Sequence, residues 1–305
     1  VVCAQTEVRP FAIEPLSPEF SKLIDPKVQL TRLATGFGFT EGPVWDPAEF
    51  LWVSDETLNK IFKVSTTNGS KQEVIALGDP DGNTYDKQGR LIDCASVLRA
   101  VIRLSPDGKS YSILADHFEG KKLNTPNDVV IGPDGAIYFT DPTSDLVAGA
   151  KQELPFKGVF RIGADGDLRL VTKDIVDPNG LAFSPDGKKL YIDDSTQKNI
   201  HVYDFSPDGT VHNGRIFGEE PGGPKDGVPD GMRLDHAGNL YVVGPRGIWV
   251  WDAEGHHLGT IVVPEQPANL AWGDADYSTL YITATTSVYK LHTLTTGFIP
   301  YLTKH

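Results

Sequence analysis

The sequence predicts an all-β chain folded as a six-bladed β-propeller, with four antiparallel strands per blade and the ring closed by an N-terminal strand. Three observations lead there. Six runs of closely similar character recur along the chain: "LWVSD" at 51, "LIDCA" at 91, "IYFTD" at 137, "LYIDD" at 190, "LYVVG" at 240 and "LYITA" at 280. Their spacing of roughly 40–50 residues is that of propeller blades. No segment keeps a helical hydrophobic period.

Each unit can be followed strand by strand. A short apolar strand comes first, then a turn such as "DKQG", "GPDG", "SPDG" or "DHAG", in which Gly supplies positive φ. The apolar-aromatic run is the second strand. A third follows: "IFKVS", "VIRLS", "VFRIG", "IHVYD", "IWVWD" and "VYKLH". A fourth comes after a further turn in most units, as in "KQEVIAL", "YSILAD" and "LRLVTKD". The sixth unit lacks one, while "VQLTRLA" at 28–34 stands before the first unit as "KQEVIAL" stands before the second. Residues 28–34 are therefore expected to complete the last blade and leave no open edge. Residues 28–305 then form one propeller domain, and 1–27 an extension outside the ring.

Composition narrows the function classes. A formal charge of −13 argues against nucleic acid or an anionic membrane surface as partner and suits a neutral substrate or a cation. No apolar run approaches the ~18 residues of a membrane-spanning helix. Two cysteines, Cys3 and Cys94, cannot build a disulfide framework or a zinc cluster. Val2, Cys3 and Ala4 before Gln5 read like the small-residue end of a secretory signal, although the apolar core of such a signal is absent. A signal remnant at 1–4 and a periplasmic or secreted location are expected, with the cytoplasm as the alternative.

When the units are aligned on their turns, the first residue of each inner strand is Glu41, Asp81, Asn127, Asn179, Asp230 or Asn269. In a propeller these positions converge at one mouth of the central channel. Asn, Asp and Gly are common at strand entries for turn reasons alone. Glu41 is a poor turn former, however, and a ring with three carboxylates repels itself unless a cation joins it. Oxygen-only donors without His or Cys point to Ca²⁺, with Mg²⁺, Mn²⁺ or Zn²⁺ as alternatives.

The same residues carry a resemblance. "EGPVW" at 41, "GNTYDKQGRLIDC" at 82, "GKKLNTPNDVV" at 120, "YFTDP" at 138, "PNGLAFSPDG" at 178, "PDGMRLD" at 229 and "ANLAW" at 268 together resemble the senescence marker protein/gluconolactonase/luciferin-regenerating family over roughly residues 28–292. The resemblance implies a six-bladed propeller with one catalytic divalent metal, typically calcium, and in many members hydrolysis of sugar lactones. It places the metal ligands on Glu41, Asn179 and Asp230, with Asn127 binding directly or through water or substrate. Two departures bear on the substrate: Thr125 stands where regucalcin-type members carry a sugar-contacting Arg, and Asp81 where gluconolactonase relatives more often carry Asn.

The expectation is a metal-dependent lactonase acting on a small-molecule lactone. Asp230 and Asn127 are the candidate catalytic residues, with Asp230 or Asp81 as the base, and Asp81, Asn127 and Asn269 are the candidate substrate contacts. Phosphotriester hydrolysis of the diisopropyl fluorophosphatase type and a non-catalytic, calcium-stabilised binding propeller are the alternatives. Asp55, Asp141 and Asp194 end second strands on the ring face, where either a turn role or support of the metal ligands would place a carboxylate; Asp194 is favoured slightly for function. His117 and Arg99 read as solvated or structural, and His256 and His257 as surface residues. The long loops at 116–126, 142–157 and 217–229 all reach the ring face and are the candidate substrate walls.

Overall fold

The computed structural model describes residues 9–302. Six antiparallel sheets form a propeller, each running from an inner strand at the channel to an outer one. Blade 1 comprises Thr40–Asp46, Phe50–Asp55, Lys60–Ser65 and Lys71–Ala76. Blade 2 comprises Pro80–Tyr85, Leu91–Ala95, Ala100–Leu104 and Tyr111–Ala115. Blade 3 comprises Val129–Ile131, Ile137–Asp141, Gly158–Ile162 and Leu168–Thr172. Blade 4 comprises Pro178–Phe183, Lys189–Asp194, Asn199–Phe205 and Val211–Glu219.

Burial falls from the channel outward. The inner strand of blade 1 is buried through Trp45, whereas its outermost strand, Lys71–Ala76, has no buried residue. Neighbouring blades pack face to face through apolar side chains. Val44, Trp52 and Ile61 of blade 1 meet Leu91, Ala100 and Ile102 of blade 2; Ile92 and Val101 then meet Phe139 and Phe160 of blade 3. Both faces of each inner and second strand are therefore in a core. This explains why those strands read as continuous apolar runs rather than alternating ones.

Closure follows the expected route. Thr31–Thr35 pairs antiparallel with Ser287–His292 as the outer strand of blade 6, whose other strands are Pro267–Gly273 and Thr279–Ala284. The strand begins three residues later than the sequence suggested. The extension before it does not lie outside the sheets as expected. Ala12–Pro15 pairs with His257–Val262 and adds a fifth strand to blade 5, beside Met232–Leu234, Leu240–Gly244 and Gly247–Trp251. After it, a helical turn at Phe20–Leu23 buries Phe20, which packs with Ile24 into the core of blades 5 and 6. No repeat unit has a counterpart for this segment, so internal similarity could not reveal it. The proposed signal remnant at 1–4 lies outside the described residues.

The far end of the channel is closed by the C-terminal segment. Gly297 bridges to Asp235, the Phe298 N–H donates to Leu234 O at 3.0 Å, and the Tyr301 hydroxyl donates to Trp45 O at 2.7 Å. Gly297 is needed there, since a Cβ would lie 1.9 Å from the Trp272 ring. Among the described residues no helix is long and apolar enough to cross a membrane.

Candidate functional site

The inner-strand entries converge, and the backbone explains their pattern. The Gly82 N–H donates to Asn127 O at 2.8 Å, and the Gly231 N–H donates to Ala268 O at 2.9 Å. Each links one blade's entry to the carbonyl of the next ring residue. A Cβ on Gly42 would lie 2.1 Å from Asp81 O, one on Gly82 2.6 Å from Asn127 O, and one on Gly180 2.1 Å from Asp230 O. Glycine therefore follows the ring residue because the adjacent strand occupies the space of a side chain, and at Gly42 also because φ is +49°.

This register corrects one assignment. The carbonyl contacted by Gly231 belongs to Ala268, so Ala268 occupies the sixth ring position and Asn269 stands one residue deeper, level with Asp128. The two share a hydrogen-bond pattern. Asp128 N–H donates to Thr140 Oγ1 at 3.0 Å and Asn269 N–H to Thr283 Oγ1 at 3.1 Å, and each side chain accepts the next residue's N–H at 2.8 Å. The misreading arose because "PANLAW" has its polar residue one place later than "PNGLAF".

The remaining five expected residues come together at the mouth. Glu41, Asp81 and Asn127 are buried, and Asn179 and Asp230 half-buried. The Asn269 amide donates to Glu41 Oε2 at 2.9 Å, and the Gly42 N–H donates to the same oxygen. The Asn127 amide donates to Asp81 Oδ2 at 2.6 Å, which leaves its carbonyl oxygen for a cation or substrate. Asn179 Oδ1 is buried and accepts no hydrogen bond, an acceptor without a donor. Such an atom normally has a partner.

Electrostatics agree. Burial, then the Asp128 charge, pushes the Glu41 carboxyl up to about 8, against the pull of the Gly42 N–H, Asn269 and Arg233. Burial also raises Asp230 well above the carboxylate range, with Glu41, Asp193, Asp128 and Asp145 adding to it. Asp81 is raised by burial, then by Glu56 and Glu41. The rim carries three carboxylates that sequence reading missed. Glu56 is raised by burial and Asp145, Asp79 is pushed to about 6 by the same causes, and Asp145 is raised by burial while touching Asn127. Asp145 lies in the 142–157 loop, so that loop reaches the site. Nothing in its local pattern distinguishes it from a solvated loop residue.

Among the described residues no group of three or more His, Cys, Asp or Glu side chains is arranged to hold a metal ion. The expected ligand set has two carboxylates, Glu41 and Asp230, with Asn carbonyl oxygens for the rest. These residues fit a hard divalent cation: all donors are oxygen, Asn179 Oδ1 lacks a partner, and the buried carboxyls resist ionising without a positive charge beside them.

Other weighed residues resolve as structural. Asp55 accepts the N–H groups of Gly38, Phe39 and Leu58, and Asp141 accepts that of Asn124. Asp194 accepts those of Val176, Thr196 and Gln197, so its carboxylate organises loops and not the site. Thr125 is buried and donates to Pro142 O at 2.9 Å, so it takes no part in the mouth. Arg99 pins two loops, donating to Leu123 O and Asn124 O and, at 3.3 Å, to Lys151 O. The third long loop starts later than expected, because the outer strand of blade 4 continues to Glu219.

The sequence pattern of the SMP-30/Gluconolactonase/LRE-like region matches residues 39–286. The chain belongs to this family. Among its relatives, a gluconolactonase of Zymomonas mobilis is 32% identical, covering 93% of this chain and 87% of its own length. A pentonolactonase of Haloferax volcanii is 28% identical, covering 80% of each. The solved structure of a gluconolactonase from Xanthomonas campestris superposes with a TM-score of 0.84 at 30% identity, over 95% of this chain and 100% of that one. The family match begins two residues before Glu41 and spans all the ring residues.

Proposed function

We propose that this protein is a divalent-cation-dependent lactonase that opens the ester of a sugar lactone to the aldonic acid. The observation that carries the proposal is the convergence of Glu41, Asn127, Asn179 and Asp230 at one channel mouth, with Asn179 Oδ1 lacking a donor. The lactonase names of the relatives support the reaction class. The oxygen-only donor set supports calcium over softer ions.

Glu41, Asn179 and Asp230 would hold the cation, with Asn127 beside it. When bound, the cation supplies a Lewis acid for the lactone carbonyl. Glu41 and Asp230 balance its charge, and the Asn carbonyl oxygens add donors without adding charge. Asp230 would serve the cation through one carboxylate oxygen and with the other would take the proton of the attacking water, returning it to the ring oxygen as the ester C–O bond breaks. Asp81 holds the Asn127 amide and so fixes which atom of Asn127 faces the substrate. Glu56, Asp79 and Asp145 add acidic groups near the ring that offer no positive charge to an anionic substrate.

The test is acid release from a panel of aldonolactones, with calcium, manganese, zinc or chelator. Lactone opening that chelator abolishes and calcium restores is expected. Organophosphate hydrolysis without lactone opening, or cation-dependent stability without turnover of either, would replace the proposal.

A further inference from the structure

Beneath the ring, three residues break the six-fold repeat, and the fold joins them. Four units carry Gly after the ring residue, at Gly42, Gly82, Gly180 and Gly231; Asp128 and Asn269 stand there in blades 3 and 6. Two residues further along, five units present a small side chain to the channel: Val44, Thr84, Val130, Ala182 and Ala271. The remaining one, in blade 5, presents Arg233. These six line a cavity of about 30 Å³ between the ring and the C-terminal plug.

The three exceptions form one network ending on an expected cation ligand. Arg233 Nη1 lies 3.7 Å from Asp128 Oδ2, and Arg233 is 14% exposed against 1% for Asp128. That carboxylate oxygen accepts no hydrogen bond, so the guanidinium is its compensation. The Asn269 carbonyl accepts the Leu270 N–H at 2.8 Å, which prevents the amide from flipping. Its NH₂ therefore faces the two carboxylates, donating to Glu41 Oε2 at 2.9 Å while lying against Asp128. Breaking a buried ion pair by removing one partner leaves the other charge uncompensated.

We propose that Arg233 is a positioning residue for Glu41: by neutralising Asp128 inside the channel, it keeps the Asn269 amide on the Glu41 carboxylate. Without the guanidinium, an ionised Asp128 draws the amide to itself and repels Glu41. Without Asp128, the unpaired guanidinium repels the cation. The two charges are thus required together and dispensable together, a proposal that rests on the cation-dependent reading of the site.

The test measures calcium affinity by calorimetry, thermal midpoint and lactone turnover for Arg233→Met, Arg233→Lys, Asp128→Asn and the double variant Asp128→Asn/Arg233→Met. Each charge-removing single variant is expected to weaken calcium binding by about 10–100-fold, as loss of a residue supporting a metal ligand does. Arg233→Lys keeps the charge and recovers most of the affinity. The double variant returns to within about threefold of the wild-type calcium affinity; a purely structural ion pair would show its non-additivity in the thermal midpoint and leave the calcium affinity of each folded variant unchanged. If Arg233→Met binds calcium like the wild type, or the double variant is no better than its single parents, the proposal is overturned. Should Arg233→Met fail to fold, the comparison of Asp128→Asn with the double variant decides alone: recovery on removing the second charge supports it, and none refutes it. If the wild type itself binds no calcium, the cation reading fails, which is a different result.

Discussion

Gly180→Ala tests whether the close approach of inner strands sets the geometry of the site. The added Cβ would lie 2.1 Å from Asp230 O and 2.6 Å from Asp193 Oδ2. Real Cβ contacts essentially never fall under 3.0 Å, so Asp230 must withdraw by about 0.9 Å. The contact is with backbone, so no rotamer change relieves it; Gly180 sits in the strand Pro178–Phe183, and Asp230, just before Met232–Leu234, is tied by its N–H to Val243 O at 3.1 Å. Overpacking of this kind costs about 1–3 kcal/mol. The displaced Asp230 is an expected cation ligand and base, and a misplacement of about 1 Å in a reacting constellation costs on the order of 100-fold in rate. Chemical denaturation, calcium titration and lactone turnover would be measured on the purified variant. The expected result is a modest loss of stability with a disproportionate loss of calcium affinity and turnover. A variant that loses the stability but keeps calcium affinity and turnover within about twofold would show that the glycine serves packing alone, and would remove the strand approach from the account of the site.

Asp230→Asn keeps the shape and one oxygen donor but removes the charge and the base; turnover at saturating calcium is expected to fall by at least ~100-fold, and a near wild-type rate would move the base to Asp81. Asp81→Ala releases the Asn127 amide held at 2.6 Å and is expected to change the ranking among lactones, whereas an equal loss on all of them would indicate a cation or base role. Because burial raises the carboxyls of both Glu41 and Asp230, calcium binding must expel protons from its own ligands. Calcium affinity measured across pH is then expected to rise with pH through the neutral range; a flat profile would contradict it. Asp194→Ala strips the acceptor from three backbone N–H groups and should cost stability by about 1–3 kcal/mol, read by denaturation, with turnover preserved.

Much of this protein was legible in its sequence because a propeller repeats. The second strands from "LWVSD" to "LYITA", their turns, the outer strands that the closing strand completes and the polar start of five inner strands recur at equivalent positions, so weak local signals reinforce one another. The convergence of Glu41, Asp81, Asn127, Asn179 and Asp230 follows from that repetition, since equivalent positions in a closed ring share one height. Departures from the repeat were harder to read. Ala12–Pro15 and the plug ending at Tyr301 have no counterpart in other units, and short segments of their composition become strand or stopper only when an edge or an open channel is there to receive them. The Asn269 register depended on which carbonyl Gly231 meets across the blade boundary. The tertiary structure also turned Asp194 toward loop N–H groups, brought Asp145 of a long loop against Asn127, and set Arg233 opposite Asp128. Pattern within a chain reports which residues are equivalent. Which buried charges face one another depends on distances between blades, and those exist only once the ring has closed.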